Sequence, residues 1–217
     1  MFESIRRLKN NGYTPKVVLD VGAHHGSWTK SCLEIYPDAS YYLFEPHCYN
    51  QLSMYDNSSN VKIHNVLLSD KIEAVKFYAM GNTGDSIFKE KSKHFVDCPG
   101  EFRITTTIDN IFAETENVME NILLKIDCQG AEIPILKGCT SILDKTDFII
   151  LELPFFGQYN ENVPNFLEHI KFMDDIGFIP FDISEIHFVK NFTMQVDIMF
   201  ISKKHEFNNN MAEKLFT

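Results

Sequence analysis

Positive charge is scarce in this chain: its 217 residues carry 20 Lys and Arg against 30 Asp and Glu, for a formal net charge of −10. That balance argues against a nucleic-acid or anionic-membrane surface, which needs a basic stripe to displace counterions. Paired cysteines are missing as well. The five present, Cys32, Cys48, Cys98, Cys128 and Cys139, are odd in number and form no C-x-x-C spacing, so neither a disulfide framework nor a zinc site is indicated. No apolar run approaches the roughly 18 residues of a membrane-spanning helix, and the first residues lack the apolar stretch of a signal peptide. The expected setting is a reducing cytoplasm, without membrane insertion. Nothing in the pattern speaks to the oligomeric state.

What is present is a regular alternation of apolar runs and amphipathic stretches, the mark of an α/β sheet with helices on both faces. The spacing predicts a first helix over Phe2 to Asn10, a buried strand at Val17–Val21, a helix from Ser27 to Ile35 and a second strand at Tyr41–Phe44. A helix around Cys48 to Tyr55 and a third strand near Val61 to Leu67 follow. Ala74 to Ile108 is unclear, although its Lys-rich part is placed to cover a site. Beyond it come a fourth strand at Ile122–Asp127, a helix from Glu132 to Leu143, a fifth strand at Phe148–Leu153 and a helix from Val163 to Ile176. The last two strands, Phe178–Ile183 and Val196–Ile201, are separated by about a dozen residues without helical periodicity, which favours an antiparallel ending. Residues 1–202 are therefore expected to form one domain, with 203–217 a polar tail frayed at Asn208-Asn209-Asn210.

The first strand runs into Gly22-Ala23-His24-His25-Gly26, a tight turn that opens a helix, where free N–H groups face a ligand. Glu45 ends the second strand twenty-three residues after Gly22, the spacing at which an acid accepts from a ribose diol. The pattern is Gly-x-x-x-Gly, with His24 where a dinucleotide fold has its middle glycine. A pyrophosphate is thereby disfavoured, and an amino-acid-bearing nucleoside such as S-adenosylmethionine is favoured. Two other readings stay open: a nicotinamide-dependent oxidoreductase and a non-catalytic nucleoside-binding module.

Lys16 to Thr29, Phe44-Glu45-Pro46, Leu68-Ser69-Asp70, Thr107-Ile108-Asp109, Leu124 to Glu132 with its Lys-Ile-Asp-x-Gln-Gly-Ala-Glu core, Leu136-Lys137-Gly138, Gly177-Phe178 and Gln195 to Phe200 together resemble the FkbM family of class I S-adenosylmethionine-dependent methyltransferases. The resemblance spans about residues 5 to 202. It implies a Rossmann-like fold with a seven-stranded, mostly parallel sheet and an antiparallel last strand. It also implies O-methylation of a hydroxyl on a sugar, glycan or small secondary metabolite. By position, Gly22, Ala23 and His24 would line the methionine part of the cofactor, Glu45 the ribose and Ser69-Asp70 the adenine edge, while Asp127 would lie near the sulfonium. Asp20, Gly26 and Pro46 complete the candidate cofactor contacts.

For catalysis, Asp127 and Glu152 sit at or near the carboxyl ends of neighbouring strands, where chemistry is done in an open α/β sheet. An unpaired Glu152 inside an apolar run would be costly, so it needs a partner or a task. His25 or His24 has the near-neutral pKa of a base. The adjacent histidines lack metal-ligand spacing, whereas Asp127, Glu132 and Glu152 could together hold magnesium; sequence leaves metal-dependent and metal-free catalysis both open. Phe155-Phe156 with Gln158-Tyr159 could stack on a sugar ring or simply pack.

Overall fold

The computed structural model describes residues 1–113, 119–156 and 159–207. Its centre is a seven-stranded sheet built from β1 (Val17–Val21), β2 (Ser40–Phe44), β3 (Val61–His64), β7 (Ile122–Ile126), β8 (Thr146–Pro154), β9 (Phe178–Val189) and β10 (Phe192–Ser202), in the order β3-β2-β1-β7-β8-β10-β9. Pairing is parallel from β3 to β8, and β10 runs antiparallel to both its neighbours. This is the sheet that the alternation predicts. The order reverses between β1 and β7, so the crevice at the carboxyl ends of these strands is where an open α/β sheet takes its ligand.

Strand alternation sends side chains to two separate cores. Val17, Leu19 and Val21 of β1 join Leu124 and Ile126 of β7 beneath α3 (Ile108–Phe112), α4 (Glu132–Lys137), α5 (Thr140–Leu143) and α6 (Phe166–Asp175). Val18 and Leu123 face the other way, against α1 (Phe2–Asn10) and α2 (Ser27–Ile35). All five residues of β1 and all five of β7 are buried, yet each strand contains one charge. These charges are opposite and in register: Asp20 pairs with Lys125 across the ladder. The Lys125 ammonium lies 3.2 Å from the Asp20 carboxylate, and the Thr29 hydroxyl donates to the second oxygen at 2.7 Å.

The structure departs from the predicted elements where tertiary contacts decide the backbone. Between Cys48 and Tyr55 there is a 3₁₀ turn, Asn50–Tyr55, in place of an α-helix. The third strand stops at His64. Leu67–Leu68 (β4) instead belongs to a small second sheet with β5 (Ala74–Phe77) and β6 (Glu101–Thr106), in the order β4-β6-β5, which accounts for the stretch that sequence left unclear. The long helix after β7 breaks at Gly138, where a Cβ would stand 2.2 Å from the Ser69 carbonyl oxygen. The chain between the last two strands is no loop: β9 and β10 extend toward each other and turn on Lys190-Asn191, both at positive φ (49° and 67°), as a tight hairpin turn requires. Residues 203–207 fold back, with Phe207 buried against the α1/α2 side. Asn208-Asn209-Asn210 and Gln158 lie outside the described residues, and among the described residues no helix is long and apolar enough to cross a membrane.

Candidate active site

Two cavities adjoin at the carboxyl ends of the central strands and share a wall. The first lies between the Gly22 turn, the end of β2 and the loop Asn82–Ile87. The second lies between that loop, the segment Glu90–Phe95 and the ends of β8 and β10. Asn82, Thr83, Asp127 and Gln129 line both.

Gly22 is held at φ 76° with the position of a Cβ only 2.0 Å from the Asp127 carbonyl oxygen, so any side chain there collides with the main chain leaving β7. The glycine serves contact between two strand ends; sequence alone assigned it to close approach of a ligand. At the end of β2, Glu45 is 5% exposed, and its two carboxylate oxygens accept from the backbone N–H groups of His24 (2.8 Å) and His47 (3.0 Å). Burial pushes this carboxyl up, and the two N–H donors pull against it. A fixed carboxylate therefore faces a cavity that, among the described residues, has no Lys or Arg in its lining.

Pro46, His47 and Tyr49 continue this wall, while Leu67, Leu68, Ile87 and Ile135 supply apolar surface. His24 lines the cavity in a left-handed conformation, φ 48°, with its ring stacked on His25 at 3.7 Å. Burial first, then the neighbouring His25, lowers its pKa and keeps the ring neutral. The loop opposite is fixed by Asp85, which accepts from the N–H groups of Met80 (2.7 Å) and Gly81 (3.0 Å) and bonds the His47 ring at 3.0 Å. Ser86 ties the same loop to the carbonyls of Cys128 (3.0 Å) and Gln129 (3.1 Å).

Several of the residues singled out from sequence stand elsewhere. Asp20 is sealed behind the turn in its ion pair with Lys125, and Ala23 is in the core beneath α2. Gly26 backs onto Tyr55, whose hydroxyl donates to its carbonyl at 2.6 Å. Ser69 and Asp70 lie beyond the cavity, which is walled instead by Leu67 and Leu68. His25 lines neither cavity; its ring packs on His24 and Tyr49.

Asp127 and Glu152 are brought together, by a residue that received no role from sequence. Gln129, held at φ 53°, donates its amide nitrogen to Asp127 (3.1 Å) and to Glu152 (2.5 Å), and its amide oxygen accepts from the Tyr159 hydroxyl. Gln195 of β10 donates to the same Glu152 oxygen at 2.7 Å and to Tyr159. Asp127 is also 3.6 Å from the Lys125 ammonium. Both glutamines sit in the motif blocks quoted above, and that was the available signal; which side chains they would join depends on the fold.

Burial, and then the charges of Asp127 and Asp197, push the Glu152 carboxyl well above the usual carboxylate range. Its protonated form is favoured in the fold, whereas the unfolded group ionises near 4.5. This group therefore costs stability as pH rises above that value, until the folded carboxyl ionises as well. Glu152→Gln keeps the shape and an amide oxygen for the two glutamines. The variant should match the parent in melting temperature at pH 4 and exceed it at pH 8, which calorimetric scans at the two pH values would show.

The carboxylates considered for magnesium do not converge. Glu132 is fully buried and caps the turn before α4, accepting from the N–H groups of Cys128 and Gly130 at 3.1 Å each, with its other oxygen 3.8 Å from His169. Among the described residues one set, Glu152, His187 and Asp197, does bring three potential ligand atoms within 4.8 Å of one another. The 3.0 Å hydrogen bond between His187 and Asp197 already satisfies that pair.

Residues 20–180 match the sequence profile of the methyltransferase FkbM domain. Hexuronic acid methyltransferase AglP of Haloferax volcanii is 24% identical over 154 residues, covering 69% of this chain and 60% of its own length. The 2-O-methyltransferase NoeI of Sinorhizobium fredii is 26% identical over 168 residues, covering 68% and 67%. The chain thus spans about three fifths to two thirds of these relatives. Among solved structures, the FkbM methyltransferase of Methylobacillus flagellatus superposes with a TM-score of 0.56 at 13% identity, over 86% of this chain and 43% of that one. A Burkholderia thailandensis 1,6-didemethyltoxoflavin-N1-methyltransferase, with S-adenosylhomocysteine bound, gives 0.50 at 12% identity over 93% and 76%. These two show the same fold. With three quarters of its length under one family profile, the chain belongs to the FkbM methyltransferase family.

Proposed function

We propose that this chain transfers a methyl group from S-adenosylmethionine to a hydroxyl of a carbohydrate or small hydroxylated metabolite. The observation that carries the reading is the shared wall: Asp127 borders both cavities, so a cofactor in one and an acceptor in the other would meet beside its carboxylate. The first cavity fits the cofactor. Glu45 has lone pairs left for a ribose diol, the leucine and isoleucine side chains suit an adenine face, and the absence of Lys and Arg from the lining among the described residues suits a ligand without phosphate. That last feature also argues against a nicotinamide dinucleotide.

When bound, S-adenosylmethionine supplies an electrophilic methyl carbon on a sulfonium. The protein then has to align the acceptor oxygen with that carbon and receive the hydroxyl proton, and alignment supplies much of the rate. Asp127 is the proposed proton acceptor, with Lys125 at 3.6 Å to compensate its charge. Glu152, protonated and gripped by Gln129 and Gln195, is the proposed positioning group for a neighbouring acceptor hydroxyl.

Transfer of label from methyl-labelled S-adenosylmethionine to a panel of glycosides and a crude glycan extract tests the activity. A protein stabilised by S-adenosylhomocysteine in a thermal-shift assay but inert toward every acceptor would be a binding module instead, and stabilisation by NAD alone would make it an oxidoreductase. Glu45→Ala removes the carboxylate facing the ribose and should weaken S-adenosylhomocysteine binding by about 2 kcal/mol, the loss of a charged hydrogen-bond partner. Unchanged affinity by titration calorimetry, in a variant with the parent's circular dichroism, would take Glu45 out of the site.

A further inference from the structure

The second cavity is polar, roomy and acidic. Glu90, Asp127 and Glu152 line it, and among the described residues no Lys or Arg does; His94 is its one ionisable nitrogen base. Lys125, in the wall behind, is 5% exposed and already shared among Asp20, Asp127 and the Gly22 carbonyl. Lys89, Lys91 and Lys93 stand on the segment that carries Glu90 but outside the cavity's lining, and Lys89 donates to the Val96 carbonyl at 3.1 Å. A second layer of acid stands behind the wall, with Asp197 the cross-strand partner of Glu152 on β8 and β10. The remaining polar lining is uncharged: the amides of Asn82, Gln129 and Gln195 and the hydroxyls of Thr83 and Tyr159.

We infer that this cleft selects uncharged or positively charged hydroxyl compounds, such as neutral sugars and amino sugars, and rejects acceptors bearing a carboxylate or phosphate. The inference rests on the proposed methyl transfer and narrows its acceptor. Carboxylates and amides can accept from and donate to the vicinal hydroxyls of a neutral sugar without a compensating cation. A uronate has no such match. Its carboxylate would enter beside Glu90 and Asp127 with no Lys or Arg among the described lining residues to meet it, the Lys125 ammonium being buried behind Asp127, and like charges juxtaposed in a partly desolvated cleft repel. Burial first, and after it the charges of Asp127 and Asp197, push the Glu152 carboxyl up. This acceptor class differs from the hexuronic acid in the name of the Haloferax relative, with which the chain shares 24% identity.

The test is equilibrium binding of three oligosaccharides of equal length to the protein saturated with S-adenosylhomocysteine. The probes are cellotriose as the neutral sugar, the chitosan trimer as the cationic one and trigalacturonate as the anionic one. The trigalacturonate should bind about tenfold or more weaker than the tighter of the other two, and the ratio should shrink at 1 M salt as charge is screened. Glu90→Gln should tighten trigalacturonate binding severalfold relative to cellotriose. Equal or preferred binding of trigalacturonate would overturn the charge selection while leaving a sugar acceptor in place. If all three failed to bind a protein that still takes up S-adenosylhomocysteine, the sugar reading would fall, and the selection with it.

Discussion

Asp127→Asn should lower turnover by about 10²-fold or more, the usual scale for loss of a positioned acid–base group. The substitution is nearly isosteric. Its amide can still pair with Gln129, and Lys125 keeps Asp20, so the fold and most of the cofactor affinity should survive. The loss is the ability to accept a proton from a hydroxyl held at the shared wall of the two cavities. Rapid-quench measurement of the first turnover, beside calorimetry with S-adenosylhomocysteine, separates that effect from weakened binding. A variant that turns over at the parental rate would remove Asp127 from the role of base.

The largest stability effect is expected at Lys125. Replacing it with methionine fills the volume but leaves Asp20, fully buried, with the Thr29 hydroxyl as its remaining partner. Stranding one member of a buried pair costs about 3–5 kcal/mol, and urea unfolding should report a loss of that size. The double variant Asp20→Asn, Lys125→Met should recover much of it, because the pair as a whole contributes far less than either charge does alone. Equal destabilisation by the single and double variants would mean that the ammonium's other contacts, with the Gly22 carbonyl at 3.1 Å and the Trp28 ring at 6.0 Å, matter more than its pairing with Asp20.

The central strands were legible because strands buried on both faces are near-continuous apolar runs, and Val17–Val21, Ile122–Ile126 and Phe148–Leu153 all stand out as such. Glu45 was legible for a similar reason, since an acid at a strand end after a glycine turn has few structural explanations. What stayed hidden depends on partners distant in sequence. Asp20 looked like a ligand contact until the ladder placed Lys125, 105 residues on, directly beside it. Glu132 was one of three carboxylates that could have held magnesium, but it caps a turn whose N–H groups precede it by only a few residues. The Gln129 bridge requires β7, β8, β10 and Tyr159 to be assembled before its two hydrogen-bonding ends have anything to meet. The Lys190-Asn191 turn carries no glycine, so two long strands read as two short ones with a loop between them.

The short loop that forms one side of both cavities has a consequence for exchange kinetics. Asn82 and Thr83 face each chamber, and the loop is tethered through Asp85 to His47 and through Ser86 to the carbonyls of Cys128 and Gln129. Any displacement that loosens these tethers widens both chambers together. If the proposed cofactor and acceptor occupy the two chambers, their dwell times would be linked through one strip of backbone, and a substitution that frees it, even one remote from the reacting atoms, would speed the departure of both.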